Sequence, residues 1–295
     1  MNIAVIGAGK WGQALHFALS QKMTCKITSR TPKAIANFVA LEEALACEYL
    51  IFALPTQIVR NWLETHFSFR HQKILVAAKG IEQGSGKFLN DIFSSVVPEE
   101  NLCFLSGPSF ASEVIQGLPT ALVINSTHRA LANTFASFFP DFIKTYTSED
   151  VIGAEVCGAY KNVLAIASGI CDGLQLGNNA RASLIARGLV EMHRFGKFFG
   201  AQDETFLGLS GAGDLFLTAS STLSRNYRVG LFLAQGKSLE TILTELGEVA
   251  EGVFTSEAVF ELSQKYAIYT PIAHEIALIL KGKSPRQSVK DLLAD

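Results

Sequence analysis

Lys161 is the only charged residue between positions 156 and 171, in a run made otherwise largely of small and apolar side chains. Burial disfavours the charged form of an amine and lowers its pKa, so a lysine in that setting can exchange protons near neutral pH. The alternative is a lysine that reaches solvent along its aliphatic stem. Further on, Gly208-Leu209-Ser210-Gly211-Ala212-Gly213-Asp214 sets an acid after a glycine-rich turn, and Ser224-Arg225-Asn226 offers a hydroxyl, a guanidinium and an amide in succession. A guanidinium grips phosphate through paired N–H donors and an amide bonds a hydroxyl or carbonyl, so this cluster suits a phosphorylated ligand. A helix cap followed by a surface arginine would read the same way. Lys79 ends a β-rich run at 74–78, at the carboxyl edge where open α/β sheets bind ligands, although an ordinary loop lysine is equally consistent.

A second kind of chemistry sits at the start of the chain, where Gly7-Ala8-Gly9-Lys10-Trp11-Gly12 follows an apolar run and opens a helical one at 13–20. In that context a GxGxxG pattern predicts a dinucleotide site. The first glycine permits the tight turn, the second lets the backbone approach a pyrophosphate, and the third lets helix and strand pack closely. The helix N-terminus presents N–H groups to the anion. The competing reading is a glycine turn used for packing. Cofactor choice falls to the end of the second β-rich run, Ile27-Thr28-Ser29-Arg30-Thr31, where NAD-specific folds usually place an acid for the ribose 2′-hydroxyl. No carboxylate follows until Glu42, and Arg30 could pair with a 2′-phosphate. NADP(H) is favoured, NAD(H) stays open, and a solvated Arg30 is the plain alternative.

These residues need elements to hold them. Over the first half, β-rich runs at 2–6, 25–29, 49–53, 73–78, 102–105, 121–124 and 142–147 alternate with helical stretches. That alternation predicts a Rossmann-type doubly wound α/β domain, with helices on both faces of a mostly parallel sheet. After Ser148 the β signal nearly vanishes, and runs at 152–171, 180–199 and 255–266 read as helices. The expectation is a dinucleotide-binding domain over 1–148 and an all-helical substrate domain over 149–295. No repeat, low-complexity stretch or Pro/Gly linker marks the junction, so the boundary rests on the change of pattern.

Composition narrows the field further. The 295 residues allow two domains of ordinary size, and 48% apolar against 18% charged residues is a globular balance. Lys and Arg total 25 against 27 Asp and Glu, so bulk attraction to nucleic acid or anionic lipid is not indicated. No apolar run approaches a membrane span, and the first residues lack the basic start of a signal peptide, so a cytoplasmic protein is expected. Cys25, Cys47, Cys103, Cys157 and Cys171 are scattered without zinc spacing and read as reduced, buried thiols. His193, on the expected helix 180–199, has no second ligand type at i+3 or i+4, so no metal is expected. A homodimer would fit the general preference for symmetric pairs.

Several segments then occur together in one order: Ser106-Gly107-Pro108-Ser109-Phe110-Ala111, Lys161-Asn162-Val163, Asp172-Gly173-Leu174, Gly213-Asp214-Leu215, Ser224-Arg225-Asn226 and Val249-Ala250-Glu251-Gly252. In these the chain resembles the NAD(P)-dependent glycerol-3-phosphate dehydrogenases, over nearly its whole length and most specifically over 105–252. The resemblance implies that Lys161 is the proton donor and acceptor, with Asp214 in the same site and Asn162 helping to hold the substrate. It places Lys79 against both cofactor and substrate, and Gly107 and Ser109 in the substrate pocket. Ala111, Arg225, Val249 and Glu251 would touch the dinucleotide, Lys10 and Trp11 would lie beside its phosphates, and Ser224, Arg225 and Asn226 would grip the substrate. The implied reaction interconverts dihydroxyacetone phosphate and sn-glycerol 3-phosphate, in supply of phospholipid synthesis.

The chain departs from the family pattern in two places. Lys10 stands where a small or hydroxyl residue is common, and the stretch 30–50 is shorter than in most relatives, which trims the adenosine side of the expected pocket. The sequence also admits two rivals. One is another NADPH-dependent reductase of a keto or hydroxy acid, separated by dependence on substrate phosphate. The other is a dinucleotide-binding regulatory protein without chemistry, against which the presence of Lys161, Asp214 and Arg225 together argues.

Overall fold

The structure is a computed structural model that describes residues 2–247 and 250–294. The chain forms two compact units, one of residues 1–79 and 89–155 and the other of residues 80–88 and 156–295. The first is built on a seven-stranded sheet in the order β2-β1-β3-β4-β5-β6-β7. Its strands are β1 (Ile3–Ile6), β2 (Cys25–Thr28), β3 (Tyr49–Phe52), β4 (Lys73–Val76), β5 (Leu102–Ser106), β6 (Thr120–Asn125) and β7 (Ile143–Ser148). Every pair is parallel except β5 with β6.

Strands β1, β3 and β5 are buried at every position, as expected of strands covered on both faces. Side chains alternate between faces, and the core divides accordingly. Ile3, Val5, Ile51, Leu75 and Cys103 join Ala14, Leu15, Ala18 and Leu19 of the helix Lys10–Ser20 on one face. Ala4, Ile6, Leu50, Phe52, Ile74 and Val76 join Val59 and Leu63 of the helix Val59–His66 and Ile92 and Phe93 of the helix Leu89–Ser94 on the other. Helices on both faces make this the expected doubly wound domain.

The chain runs from β1 outward to β2, then returns to lay β3 on the other side of β1, so the strand order reverses between β1 and β3. Ligands of open α/β sheets bind outside the carboxyl ends at such a reversal. A further strand outside β2 is reduced to one isolated parallel bridge, Ile27 to Phe38, made by Asn37 and Val39 backbone bonds of 3.1 and 3.0 Å to Ile27. The stretch from Ser29 to Ala40 is therefore a loop with this one bridge to the sheet edge, and the short helix Leu41–Leu45 follows it before β3.

The second unit is helical. The helix Val151–Gly173 is buried nearly all round from Ala154 to Cys171, which its apolar composition demands. Against it pack the helices Asn178–Phe198, Asp214–Ala219, Arg225–Ala234 and Glu251–Tyr266, and the unit also holds the helices Leu239–Leu246, Pro271–Leu280 and Pro285–Ala294. Gly169 and Gly230 let two of these helices meet backbone to backbone. A Cβ at Gly169 would stand 2.0 Å from Tyr227 O, and one at Gly230 would stand 2.0 Å from Ile166 O. Among the described residues no helix is long and apolar enough to cross a membrane. All five cysteines are buried.

Candidate active site

In the first unit the glycine turn closes directly after β1. Gly7 has φ +109°, a conformation that side-chain-bearing residues rarely adopt, and its N–H donates to Thr28 O at 2.9 Å. A Cβ at Gly12 would stand 1.8 Å from Gly7 O, so helix and strand pack at glycine distance. A Cβ at Gly9 would meet nothing within 4 Å. Gly9 is the N-cap of the helix Lys10–Ser20 and gives it no side-chain cap, and no acid lies in the first turn. The first N–H groups of a helix lack intrahelical acceptors, so this end has the donors and the open space that a pyrophosphate requires. The residues fit a dinucleotide: Gly7 and Gly12 shape the turn, and Gly9 leaves the approach clear.

Lys10 is exposed beside the turn, and Trp11 donates its indole N–H to Ala77 O at 3.1 Å, fixing the helix start against the end of β4. Arg30 is exposed just beyond β2. Two side chains absent from the sequence-based expectation also reach the turn: Lys33 Nζ and Gln13 Nε2 donate to Ala8 O at 2.7 and 2.9 Å. At the carboxyl ends of β4 and β5, Lys79 Nζ donates to Gly107 O at 3.1 Å and Ser109 Oγ donates to the same oxygen at 3.3 Å. Gly107 has φ +103°, the backbone conformation that turns its carbonyl toward both. Lys79, Gly107 and Ser109 thus form one cluster. Ala111 starts the short helix Ala111–Val114 and packs against the same core as Trp11.

In the second unit Lys161 is buried and does not reach solvent along its stem. Its Nζ donates to Asp214 Oδ1 at 2.6 Å and to Thr218 Oγ1 at 3.0 Å, and Thr218 donates in turn to Asp214 Oδ1 at 3.3 Å. Asp214 opens the helix Asp214–Ala219 after a π-helical turn, Leu209–Gly213, where a Cβ at Gly211 would collide with the Phe206 backbone at 2.3 Å. Asp214 and Thr218 are four apart on that helix and so share a face. This spacing was the available signal for Thr218, which the sequence reading missed. The Ser168 hydroxyl donates to Ala219 O at 2.7 Å and ties the end of the same helix to the one bearing Lys161.

The lysine helix is also held one residue earlier. Tyr160 Oη donates to Glu191 Oε1 at 2.7 Å, and the Glu191 carboxylate accepts the N–H groups of Ile272 and Ala273 at 2.9 and 2.8 Å, capping the helix Pro271–Leu280. Burial pushes the Glu191 carboxyl up and the Tyr160 phenol well above its ordinary range.

Asn226 and Asn162 converge on Gly252. Gly252 N–H donates to Asn226 Oδ1 at 3.0 Å, and a Cβ on Gly252 would stand 2.7 Å from that oxygen and 2.8 Å from Asn162 O. Ser224 is the N-cap of the helix Arg225–Ala234, its Oγ accepting from Tyr227 N at 3.2 Å, and Arg225 is exposed at the helix start. The helix-cap alternative therefore describes Ser224. Glu251 is the first residue of the helix Glu251–Tyr266. Val249 lies outside the described residues.

A description of the N-terminal part of NAD-dependent glycerol-3-phosphate dehydrogenase matches residues 27–132, and one of its C-terminal part matches residues 150–291. The chain is 64% identical over 293 residues to the glycerol-3-phosphate dehydrogenase [NAD(P)+] of Campylobacter jejuni subsp. doylei, covering 99% of each. The chain belongs to the NAD-dependent glycerol-3-phosphate dehydrogenase family. It is likewise 61% identical to the glycerol-3-phosphate dehydrogenase [NAD(P)+] of Sulfurimonas denitrificans, over 100% of this chain and 99% of the relative. The crystal structure of the Coxiella burnetii glycerol-3-phosphate dehydrogenase matches with a TM-score of 0.91 and 31% identity, over 100% of this chain and 99% of that one. The C-terminal match to the glycerol-3-phosphate dehydrogenase family takes in Lys161, Asp214, Thr218 and Ser224-Arg225-Asn226, while the glycine turn lies before the N-terminal match begins.

Proposed function

We propose that the protein interconverts dihydroxyacetone phosphate and sn-glycerol 3-phosphate with NADP(H) in preference to NAD(H), in the cytoplasm and in supply of glycerophospholipid synthesis. The observation that carries the reading is the buried Lys161, Asp214 and Thr218 triangle in a chain of this family. In reduction the bound nicotinamide supplies the hydride to the carbonyl carbon. Lys161 gives its proton to the carbonyl oxygen as that oxygen gains charge, and takes it back in the reverse direction. Asp214 and Thr218 fix the ammonium in place, and the carboxylate offsets its charge away from water.

In this proposal residues 1–148 form the cofactor domain and 149–295 the substrate domain, and the protein is a homodimer. Gly7, Gly9, Lys10, Trp11 and Gly12 hold the pyrophosphate, Arg30 the adenosine side, and Ala111, Val249 and Glu251 other parts of the dinucleotide. Arg225 serves both ligands, gripping the substrate phosphate bidentately, with Ser224, Asn226 and Asn162 orienting the hydroxyls. Lys79, Gly107 and Ser109 line the substrate pocket, Lys79 reaching the cofactor as well.

The test is loss of NADPH absorbance on adding dihydroxyacetone phosphate, repeated with NADH and with unphosphorylated dihydroxyacetone. Turnover that requires the phosphorylated ketone is the expected result. Saturating cofactor binding without turnover would overturn the reaction.

A further inference from the structure

We propose that Lys33 is a specificity-determining residue for the cofactor, pairing with the 2′-phosphate of NADP(H) beside Arg30. This inference rests on the NADP(H) reading above. In doubly wound folds the adenosine ribose lies past the end of the second strand, and an acid there selects the 2′-hydroxyl by accepting its hydrogen. Here β2 ends at Thr28, and the stretch from Ser29 to Ala40 contains Arg30 and Lys33 and no carboxylate.

The geometry ties Lys33 to the glycine turn. The Ser29 hydroxyl donates to Thr31 O at 2.8 Å, turning the chain as it leaves the strand. The loop then returns to the sheet edge through the bridge between Ile27 and Phe38. Between these two fixed points Lys33 extends to the glycine turn, its Nζ 2.7 Å from Ala8 O. The loop is pinned at both ends, so the Lys33 ammonium is held beside the turn that receives the dinucleotide.

The chemistry selects phosphate over hydroxyl. A backbone carbonyl uses one of three ammonium N–H donors and leaves the full positive charge in place. Lysine and arginine offer donors and no acceptor, so they bind a phosphate dianion through charge-assisted bonds, whereas a neutral 2′-hydroxyl can only accept a weaker bond from them and finds no acceptor for its own hydrogen.

The experiment is calorimetry of the full chain and its Lys33→Gln variant with NADPH, NADH, 2′,5′-ADP and 5′-AMP. Glutamine keeps an N–H donor on a stem one bond shorter and removes the charge, and thermal stability reports whether the loop is intact. The variant is expected to bind NADPH and 2′,5′-ADP about 10- to 100-fold more weakly, the range for losing one hydrogen bond between charged groups. NADH and 5′-AMP should bind as before. Equal losses on all four ligands, or none, would overturn the role of Lys33. Wild-type protein that binds NADH as tightly as NADPH would instead overturn the NADP(H) reading, whatever the variant does.

Discussion

Lys161 Nζ stands 2.6 Å from Asp214 Oδ1, and the carboxyl side chain that pairs it is 1% exposed. Neither charge can be removed alone without consequence. Lys161→Ala should lower turnover by about 10²- to 10⁴-fold, the usual contribution of a positioned acid–base group, with NADPH binding unchanged. Asp214→Asn leaves a buried cation with only a hydroxyl and an amide, and should cost roughly 3–5 kcal/mol of stability as well as activity. Steady-state rates and urea denaturation check both. A Lys161→Ala enzyme with wild-type kcat would remove the lysine from the mechanism.

The glycine turn separates packing from binding. At Gly12 a Cβ would stand 1.8 Å from Gly7 O, so Gly12→Ala should lower the Tm through an overpacking cost of about 1–3 kcal/mol or more. At Gly9 a Cβ meets no protein atom within 4 Å, so Gly9→Ala should keep its Tm and lose affinity for NADPH. Thermal melts and calorimetry on the two variants decide it. Wild-type cofactor affinity in Gly9→Ala would place the pyrophosphate elsewhere.

Glu155 gives the protein a pH dependence of known sign. Its carboxyl accepts from Asn90 N at 3.2 and 3.0 Å, yet burial outweighs those bonds and pushes it up to about 8. Between the ordinary carboxyl pKa and that value the folded chain holds a proton that the unfolded chain has released. The stability contributed by this group is therefore full at acid pH and falls by about 1.4 kcal/mol per pH unit as pH rises through the window. Glu155→Gln stays neutral throughout, so its stability relative to wild type should rise between pH 5 and pH 8. Other titrating groups are common to both proteins and cancel. Parallel urea curves across that range would contradict the assignment.

Ser224 and Arg225 are adjacent and should fail differently. Ser224→Ala removes the acceptor of Tyr227 N and should cost about 1 kcal/mol, the usual value of an N-cap. Arg225→Ala should raise KM for dihydroxyacetone phosphate about 10- to 100-fold, as a lost charged hydrogen bond does, with the larger part of its effect on binding rather than on the cap. An unchanged KM in Arg225→Ala would leave the substrate phosphate without its assigned partner.

Strand positions were legible because buried parallel strands are short apolar runs bounded by turn residues. The expected run at 49–53 is β3 at Tyr49–Phe52, and that at 121–124 is β6 at Thr120–Asn125. The lone charge in the run 156–171 marked Lys161 for the same reason, since a buried amine stands out against apolar neighbours. What pattern could not supply was partnership. Lys33 is an ordinary residue until folding brings it to Ala8, and Thr218 is marked only by its spacing from Asp214 until folding brings both to Lys161. Ser224 shows the reverse case, where a motif read for chemistry also closes a helix end.

The excursion of residues 80–88 bears on how the chain comes off the ribosome. Ile81 bridges Phe88, Phe88 stacks edge-on against Phe199 at 5.2 Å, and a Cβ at Gly86 would meet Leu262 at 2.9 Å. Ile81 and Phe88 are 0% and 3% exposed in the folded chain. Phe199 and Leu262, which meet Phe88 and Gly86, are translated more than 100 residues later, long after the sheet strands on either side of the excursion have emerged. During that interval the nascent chain carries the Ile81 and Phe88 side chains without that cover, apolar groups of the kind that holdase chaperones bind. A stop codon placed anywhere between the two stretches would make that exposure permanent.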